Sequence, residues 1–327
     1  MKIDLAILRC PRCRSGLVEG APLDEGHRGL FCANPQCPFH AQGFLQIHGQ
    51  PVLVDFDASI LSRGQLIASS GQSFVPRDDS GKSLRSSARR LLLGENECAK
   101  RFCSAFIQRL KSAADRPRVL VVGGGAIGSG IELLYGDDAL EVIGFDIYAS
   151  ANTQIVADAH RLPFAGETFD GVWIQAVLEH VLDPGVVVAE IHRVLKQDGI
   201  VYADTPFMQQ VHEGAYDFTR FTLSGHRWLF RQFDLIDAGV VSGAGSAFLW
   251  SARYLIRALT GSNKLATIGA YLFVWARFLD RATRRRFDAD AACGVYFFGR
   301  KAAKAISPRD VVAFYEQQAS QPRLAVP

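Results

Sequence analysis

The chain has no apolar run long enough to cross a bilayer. Its longest nearly uncharged stretch, Leu265 to Ala276, falls well short of the ~18 residues that a spanning helix needs. Nor does it carry a strong excess of one charge. Its 36 basic and 33 acidic residues leave +3, too little to argue for nucleic acid by itself. The opening residues lack a leader pattern: Asp4 interrupts the first apolar stretch and no small-residue cleavage site follows. Disorder is excluded too, because 48% hydrophobic and 21% charged residues make ordinary globular material. The expectation is a soluble cytoplasmic protein, whose 327 residues allow two domains or one domain with an appendage.

Four of the seven cysteines fall early: Cys10, Cys13, Cys32 and Cys37, as C-x2-C, eighteen residues, then C-x4-C. Two close pairs on separate turns can place four thiolates tetrahedrally around Zn(II), so a structural zinc is expected there. Disulfides would need an oxidising compartment. His40 is a further ligand type, which a four-cysteine shell does not need. So short a segment cannot build an adequate core, and the metal takes its place. Gly43 to Phe56 then reads as a strand, a turn at Gly49–Gln50–Pro51, and a second strand. CPRC, the second cysteine pair and GQPVLV resemble the small zinc-ribbon proteins that partner tRNA and protein methyltransferases, over residues 1–56.

Residues 57–116 read as linker and helix. Ser62 to Ser87 is rich in serine, glycine and arginine, and Arg85, Arg89 and Arg90 give its end a basic tint. From Glu95 to Ala113 a helix is expected, with Cys98, Phe102, Phe106 and Leu110 along one face. Cys98 and Cys103 should pack there as small hydrophobes.

Arg118 to Val122, RVLVV, reads as a short strand running straight into GGGAIGSG. Gly123, Gly125 and Gly128 form G-x-G-x-x-G ahead of a helix at Ile131 to Tyr135. Glycines there let the backbone turn tightly and approach a ligand, and the helix start adds amide donors. The strand Glu141 to Phe145 ends at Asp146, placed to accept from both ribose hydroxyls of an adenosine. A dinucleotide and S-adenosylmethionine both fit this pattern.

The next stretch adds ordered blocks: a strand Gln154 to Ala157, ADAHRLPF with Asp158, ETFDGVWIQAVLEHV, DPGVVVAEIHRVLKQDG and the strand IVYADTPF. These resemble the D-x-x-x-L-P-F, F-D-x-V, L-x-H-V and R-V-L-K-x-x-G blocks of class I S-adenosylmethionine-dependent methyltransferases, particularly the branch containing the ubiquinone and menaquinone biosynthesis enzymes. The resemblance covers Pro117 to Phe207 well and weakens toward Arg300. It implies an α/β fold: a doubly wound, mostly parallel, seven-stranded Rossmann-like sheet over 117–304, beside the small N-terminal zinc ribbon. An apolar insertion would lie at 245–290, and a C-terminal helix and tail at 305–327. The resemblance also implies roles around S-adenosylmethionine. Gly123, Gly125 and Gly128 would line its methionine and ribose portion, Asp146 would hold the ribose hydroxyls, and Ile147 would flank the adenine. Asp158 would accept from the adenine amino group, Ala159 would offer its backbone amide, and Gln175 would lie beside the methionine moiety. Val121 stands where the family usually has an acidic residue, which leaves backbone carbonyls for the methionine amine.

Asp183 and Pro184 suit an N-cap and first turn. Val187, Val188, Ile191, Val194 and Leu195 form one apolar stripe, which Gly199 is placed to end. Methyl transfer from a sulfonium is chiefly in-line positioning, and a hydroxyl acceptor also needs a base. Candidates gather on one rim. His180 follows the fourth strand, and TPFMQQVHEGAYDFTRFT follows the fifth as a lid-like stretch with Glu213, Tyr216 and Arg220. His180, His212 and Asp217 are the catalytic candidates; a packed helix residue and a plain Arg220–Asp217 ion pair are the blander readings.

Phe233 to Val241 and Gly294 to Gly299 read as late antiparallel strands. Between them, Ala247 to Leu279 holds Trp250, Tyr254, Tyr271, Phe273 and Trp275, followed by Arg281, Arg284, Arg285 and Arg286. A helical pair packed over the site is expected, ahead of an interfacial helix touching membrane through 247–286 with its arginines toward anionic lipid. Ser307, Pro308 and Asp310 mark a last helix. The expected function is methyl transfer to a small molecule, glycan or lipid-linked acceptor. An RNA acceptor read by the ribbon, an NAD(P)-dependent oxidoreductase and a non-catalytic scaffold are the alternatives.

Overall fold

A β-branched run such as Arg118–Val122 is the chemistry of a strand buried on both faces, and it becomes the centre of the sheet. The computed structural model describes residues 3–24, 27–73, 96–282 and 285–320. Its strands are β1 (Leu17–Asp24), β2 (His27–Cys32), β3 (Gln46–Ile47), β4 (Gln50–Leu53), β5 (Arg118–Val122), β6 (Glu141–Asp146), β7 (Ile155–Ala157), β8 (Phe169–Gln175), β9 (Leu195–Pro206), β10 (Phe233–Ser242) and β11 (Gly294–Lys301). The helices are α1 (Pro38–Gln42), α2 (Arg63–Ala68), α3 (Glu97–Ala113), α4 (Glu132–Tyr135), α5 (Pro184–Val194), α6 (Leu223–Leu229), α7 (Ala244–Thr260), α8 (Asn263–Tyr271), α9 (Arg285–Asp288) and α10 (Pro308–Ser320).

β1 and β2 form a separate hairpin, and the other nine strands make one sheet in the order β10-β11-β9-β8-β5-β6-β7-β4-β3. The run from β9 to β7 is parallel, and β11 inserts antiparallel between β9 and β10. Strands β5 to β11 are the seven expected. The sheet has nine because the hairpin assigned to the ribbon joins it: β4 runs parallel to β7, Val52 opposite Val156 and Leu53 opposite Ala157. Val52, Leu53 and Val54 are buried, and the edge of β7 offers them both a partner and a face. The hairpin turn falls earlier than expected, at His48 (φ 51°) and Gly49 (φ 75°), the left-handed pair of a tight two-residue turn. Pro51 lies inside β4.

On one face α3 buries Phe102, Cys103, Phe106 and Leu110 against Trp173, Tyr202 and Phe298. On the other, α5 is capped by Asp183, whose Oδ1 accepts from Val186 N at 3.1 Å, and presents Val187, Val188, Ile191 and Val194 to the core. α5 passes into β9 at Leu195, so Gly199 does not end it; the chain turns at Asp198 (φ 62°) instead. The cysteine-rich hairpin shares this core: Leu8, Leu17, Leu30 and Phe44 belong to the same apolar cluster as Phe164, Phe169 and Ile174. Arg9 N donates to Pro163 O at 2.9 Å, Ala165 N to Ile7 O at 2.8 Å, and Arg14 pairs with Glu190 at 2.8 Å. At the far end, Ser307 N donates to Asp310 Oδ2 at 2.7 Å at the start of α10.

The apolar insertion packs in part: Trp250, Tyr254, Tyr271 and Phe273 are half-buried, with Trp250 6.3 Å from the His212 ring. Leu249 and Ala270 are buried between α7 and α8, but Leu255, Leu259, Leu265, Ile268, Leu272 and Trp275 stay exposed. No helix among the described residues is long and apolar enough to cross a membrane. Of the expected linker, residues 74–95 lie outside the described residues, Arg85, Arg89 and Arg90 among them; so do the side chains of Arg285 and Arg286 and the whole of Arg284.

Candidate active site

Parallel strands end together, and the loops beyond their carboxyl ends enclose a cavity of about 450 Å³. The loop after β5 begins at Gly123, whose φ of +74° lies in the region glycine enters freely; a Cβ there would meet Val177 at 2.3 Å. Gly125 N donates to Asp146 Oδ2 at 2.9 Å, and Ile147 N to Oδ1 at 2.7 Å. The carboxylate is thus fixed by backbone amides of its own loop and the neighbouring one.

Gly123, Gly128, Asp146, Ile147, Asp158, Ala159 and Gln175 line this cavity together with His180. Gly125 is not in the lining but sits behind Asp146. Gln175 Nε2 donates to Ser129 O at 3.2 Å. Asp158 is held by a chain of donors. Asp183 N donates to His160 Nε2 at 3.1 Å, which puts the ring proton on Nδ1, and that nitrogen lies 2.6 Å from Asp158 Oδ1. His160 N and the Ser59 hydroxyl also donate to this carboxylate. Burial pushes Asp158 up, but hydrogen bonds from His160 and Ser59 outweigh it and hold the group below the usual carboxylate range. Ile60, Leu61 and Ser73, from the segment read as linker, complete the wall. Their apolar spacing is too short to have signalled it.

Beside the cavity lies a cluster that sequence reasoning saw only in part. Glu179 is 1% exposed, and neither carboxylate oxygen has a hydrogen-bond partner. His180 Nε2 lies 3.6 Å from Glu179 Oε1 and His212 Nε2 lies 3.9 Å from it. Each imidazole contacts a carbonyl through Nδ1, His180 to Tyr216 O at 2.7 Å and His212 to Gln210 O at 3.2 Å. A carbonyl only accepts, so in the neutral form of each ring Nε2 carries the lone pair. Three such atoms within 4.8 Å of one another can share a proton or surround a cation. Burial, reinforced by the nearby charges of Asp204 and Asp217, pushes Glu179 up to about 8. Burial holds His180 below its ordinary value.

Asp217 does not reach the cavity. It pairs with Arg220 and accepts from His212 N at 2.8 Å, and burial is outweighed by these partners, leaving it at about 2. His212 is likewise outside the lining, whereas Glu213 and Tyr216 are in it. Asp204 was also missed. Burial pushes it up to about 6 despite donors from Asn96 Nδ2 at 3.1 Å, Tyr202 OH at 3.2 Å and Ala176 N at 3.2 Å. The polar end of a strand, YADTP, was its only signal.

The four early cysteines converge. Cys13 Sγ lies 3.4 Å from Cys32 Sγ and Cys10 Sγ lies 3.7 Å from Cys37 Sγ, with all four within 4.8 Å. Sulfurs at ~2.3 Å from a tetrahedral zinc would stand ~3.8 Å apart, whereas a disulfide needs ~2.05 Å. The donor set therefore fits a zinc ion. His40 points elsewhere, its Nδ1 on Cys32 O at 2.8 Å.

Residues 120–203 match the family model described as a methyltransferase domain. That central segment is therefore similar to methyltransferase domains. A curated relative, the malonyl-[acyl-carrier protein] O-methyltransferase of Laribacter hongkongensis, is 38% identical over 55 residues, 17% of this chain and 18% of that protein. The chain thus spans under a fifth of the length of this relative. Among solved structures, a candidate sarcosine dimethylglycine methyltransferase from Galdieria sulphuraria overlaps 73% of this chain and 97% of its own, at 13% identity and TM-score 0.43. Haemonchus contortus phosphoethanolamine N-methyltransferase 2, in complex with S-adenosyl-L-methionine, overlaps 69% of this chain and 59% of its own, at 19% identity and TM-score 0.41. The sheet itself is mostly parallel, with β11 antiparallel between β9 and β10.

Proposed function

We propose that the protein is an S-adenosylmethionine-dependent methyltransferase acting on a small-molecule, glycan or lipid-linked acceptor. One observation carries the reading: the glycine loop, Asp146, Ile147, Asp158, Ala159 and Gln175 come from four separate loops and meet in one cavity at the strand ends. Bound there, the sulfonium supplies an already activated methyl group. The protein's work is to bind and orient. Asp146, preset by Gly125 and Ile147 amides, accepts the ribose hydroxyls, and Asp158 takes the adenine amino group. Positioning of this kind removes much of the entropic barrier to in-line displacement. His180 is the lone-pair-bearing member of the buried cluster that borders the cavity, and it receives the proton of a hydroxyl acceptor, with Glu179 and His212 behind it. Asp217 and Arg220 hold His212 in place. Cys10, Cys13, Cys32 and Cys37 hold a structural zinc, in a reducing compartment such as the cytoplasm that keeps their thiols available. The ordered sequence blocks support the ubiquinone and menaquinone branch.

Calorimetry with S-adenosylhomocysteine against NADH tests this. The homocysteine compound should bind and NADH should not. Asp146→Ala, which removes two charge-assisted hydrogen bonds, should weaken binding by about 100-fold. Binding of NADH alone would overturn the assignment in favour of a nicotinamide enzyme.

A further inference from the structure

Residues 243–286 contain eight of the 36 basic residues and one of the 33 acidic ones, so this segment is +7 while the rest of the chain is −4. Its one acid, Asp280, is turned inward. It accepts from Gly243 N at 3.1 Å, Gly245 N at 2.6 Å and the Ser246 hydroxyl at 2.6 Å, tying the start of α7 to the 3-10 turn Val274–Arg281. What faces outward is apolar and basic. Phe248, Leu255 and Leu259 recur at spacings of seven and four along α7, and Leu265, Ile268 and Leu272 at three and four along α8, so each set shares one helix face. All six are exposed, Leu259 at 77% and Leu272 at 73%, and Trp275 and Phe278 add to them. Lys264 is exposed on the flank of the α8 set, and Arg257 is exposed on α7 across the helix from its leucines. An apolar surface of this extent is not the habit of a monomer in water.

We propose that α7, α8 and the turn after them dock onto the surface of an anionic lipid bilayer, the leucines and Trp275 entering the interface and the basic residues meeting lipid phosphates. Charge decides the occupant. A second copy of this chain would oppose +7 with +7, whereas an anionic bilayer complements both the stripe and its rim. The docking surface adjoins the site: Tyr254 OH donates to Val211 O at 2.7 Å, and Trp250 lies 6.3 Å from the His212 ring. Docking would bring the cavity toward the headgroups, where a lipid-borne acceptor would be found.

Co-sedimentation of the full chain with vesicles tests the docking without reference to methyl transfer. Vesicles of phosphatidylcholine with phosphatidylglycerol should bind the protein and blue-shift its tryptophan emission, and phosphatidylcholine alone should bind at least about tenfold less. Leu259→Asp with Leu272→Asp should abolish binding. Lys264→Glu should weaken it by at least about tenfold, and thermal melts of these variants should match the parent, since all three side chains are exposed. Equal binding to the two vesicle types, or binding unaffected by the aspartates, overturns the proposal. So does light scattering that shows a dimer dissociated by those same aspartates. Loss of S-adenosylhomocysteine binding would leave the docking result untouched, so the two readings fail separately.

Discussion

Glu179→Gln isolates the energetic cost of the buried acid. In the folded protein the group titrates near 8 against an ordinary value of 4.5. A carboxyl whose folded value is raised favours the folded state only while it keeps its proton, so its contribution is neutral below pH 4.5 and worsens up to about 8. Each unit is worth about 1.4 kcal/mol, which makes Glu179 a liability of about 3 kcal/mol at neutral pH. The amide mimics the protonated acid and can donate to the lone pairs on His180 and His212. Glu179→Gln should therefore be more stable than the parent by about 3 kcal/mol at neutral pH and equal to it near pH 4.5. Urea unfolding followed by fluorescence across that range measures the difference. His180, held low by burial, adds a slope of opposite sign below its ordinary value of 6.5. Parallel stability curves for parent and variant would refute the reasoning. A gain in stability coupled to a fall in turnover is expected, because a destabilising buried acid next to a cavity is what a working site retains.

Gly125→Ala puts a Cβ 2.3 Å from the Tyr148 ring and 2.6 Å from Asp146 Oδ2, so S-adenosylhomocysteine affinity should fall at least about tenfold with little change in melting temperature. Unchanged affinity by calorimetry would show that the loop adapts. Metal analysis should find zinc in the purified protein. Chelation, or Cys32→Ser, should lower the melting temperature by more than about 5 °C, because the ribbon's apolar side chains are part of the main core. Metal-free protein with an unaltered melt would refute the zinc assignment.

Long, periodic elements were legible in the sequence. RVLVV, EVIGF and the Val187 to Val194 stripe have one low-energy use each, a buried strand or an amphipathic helix, and they lie where expected. Pairing was not legible. QPVL announces a strand but not its neighbour, and only the folded sheet reveals that β7 lacked one. Burial of single polar groups was hidden for a related reason. Glu179 sits in VLEHV between residues of either habit, and its solitude depends on walls supplied by chain segments some 25 to 40 residues distant, Asp204 and Asp217 among them. The apolar insertion was half legible: Trp250, Tyr254, Tyr271 and Phe273 turn inward as an aromatic stripe should, while most of its leucines do not. Here the hairpin is too thin to cover its own leucines.

The pairing of β4 with β7 joins the cysteine cluster and the cavity through one segment of chain. The same few residues that leave the cysteine fingers run along the sheet edge and then present the Ser59 hydroxyl to Asp158. If the cysteines hold a metal and the cavity a nucleotide, any effect of one on the other would be mutual, because linkage is reciprocal.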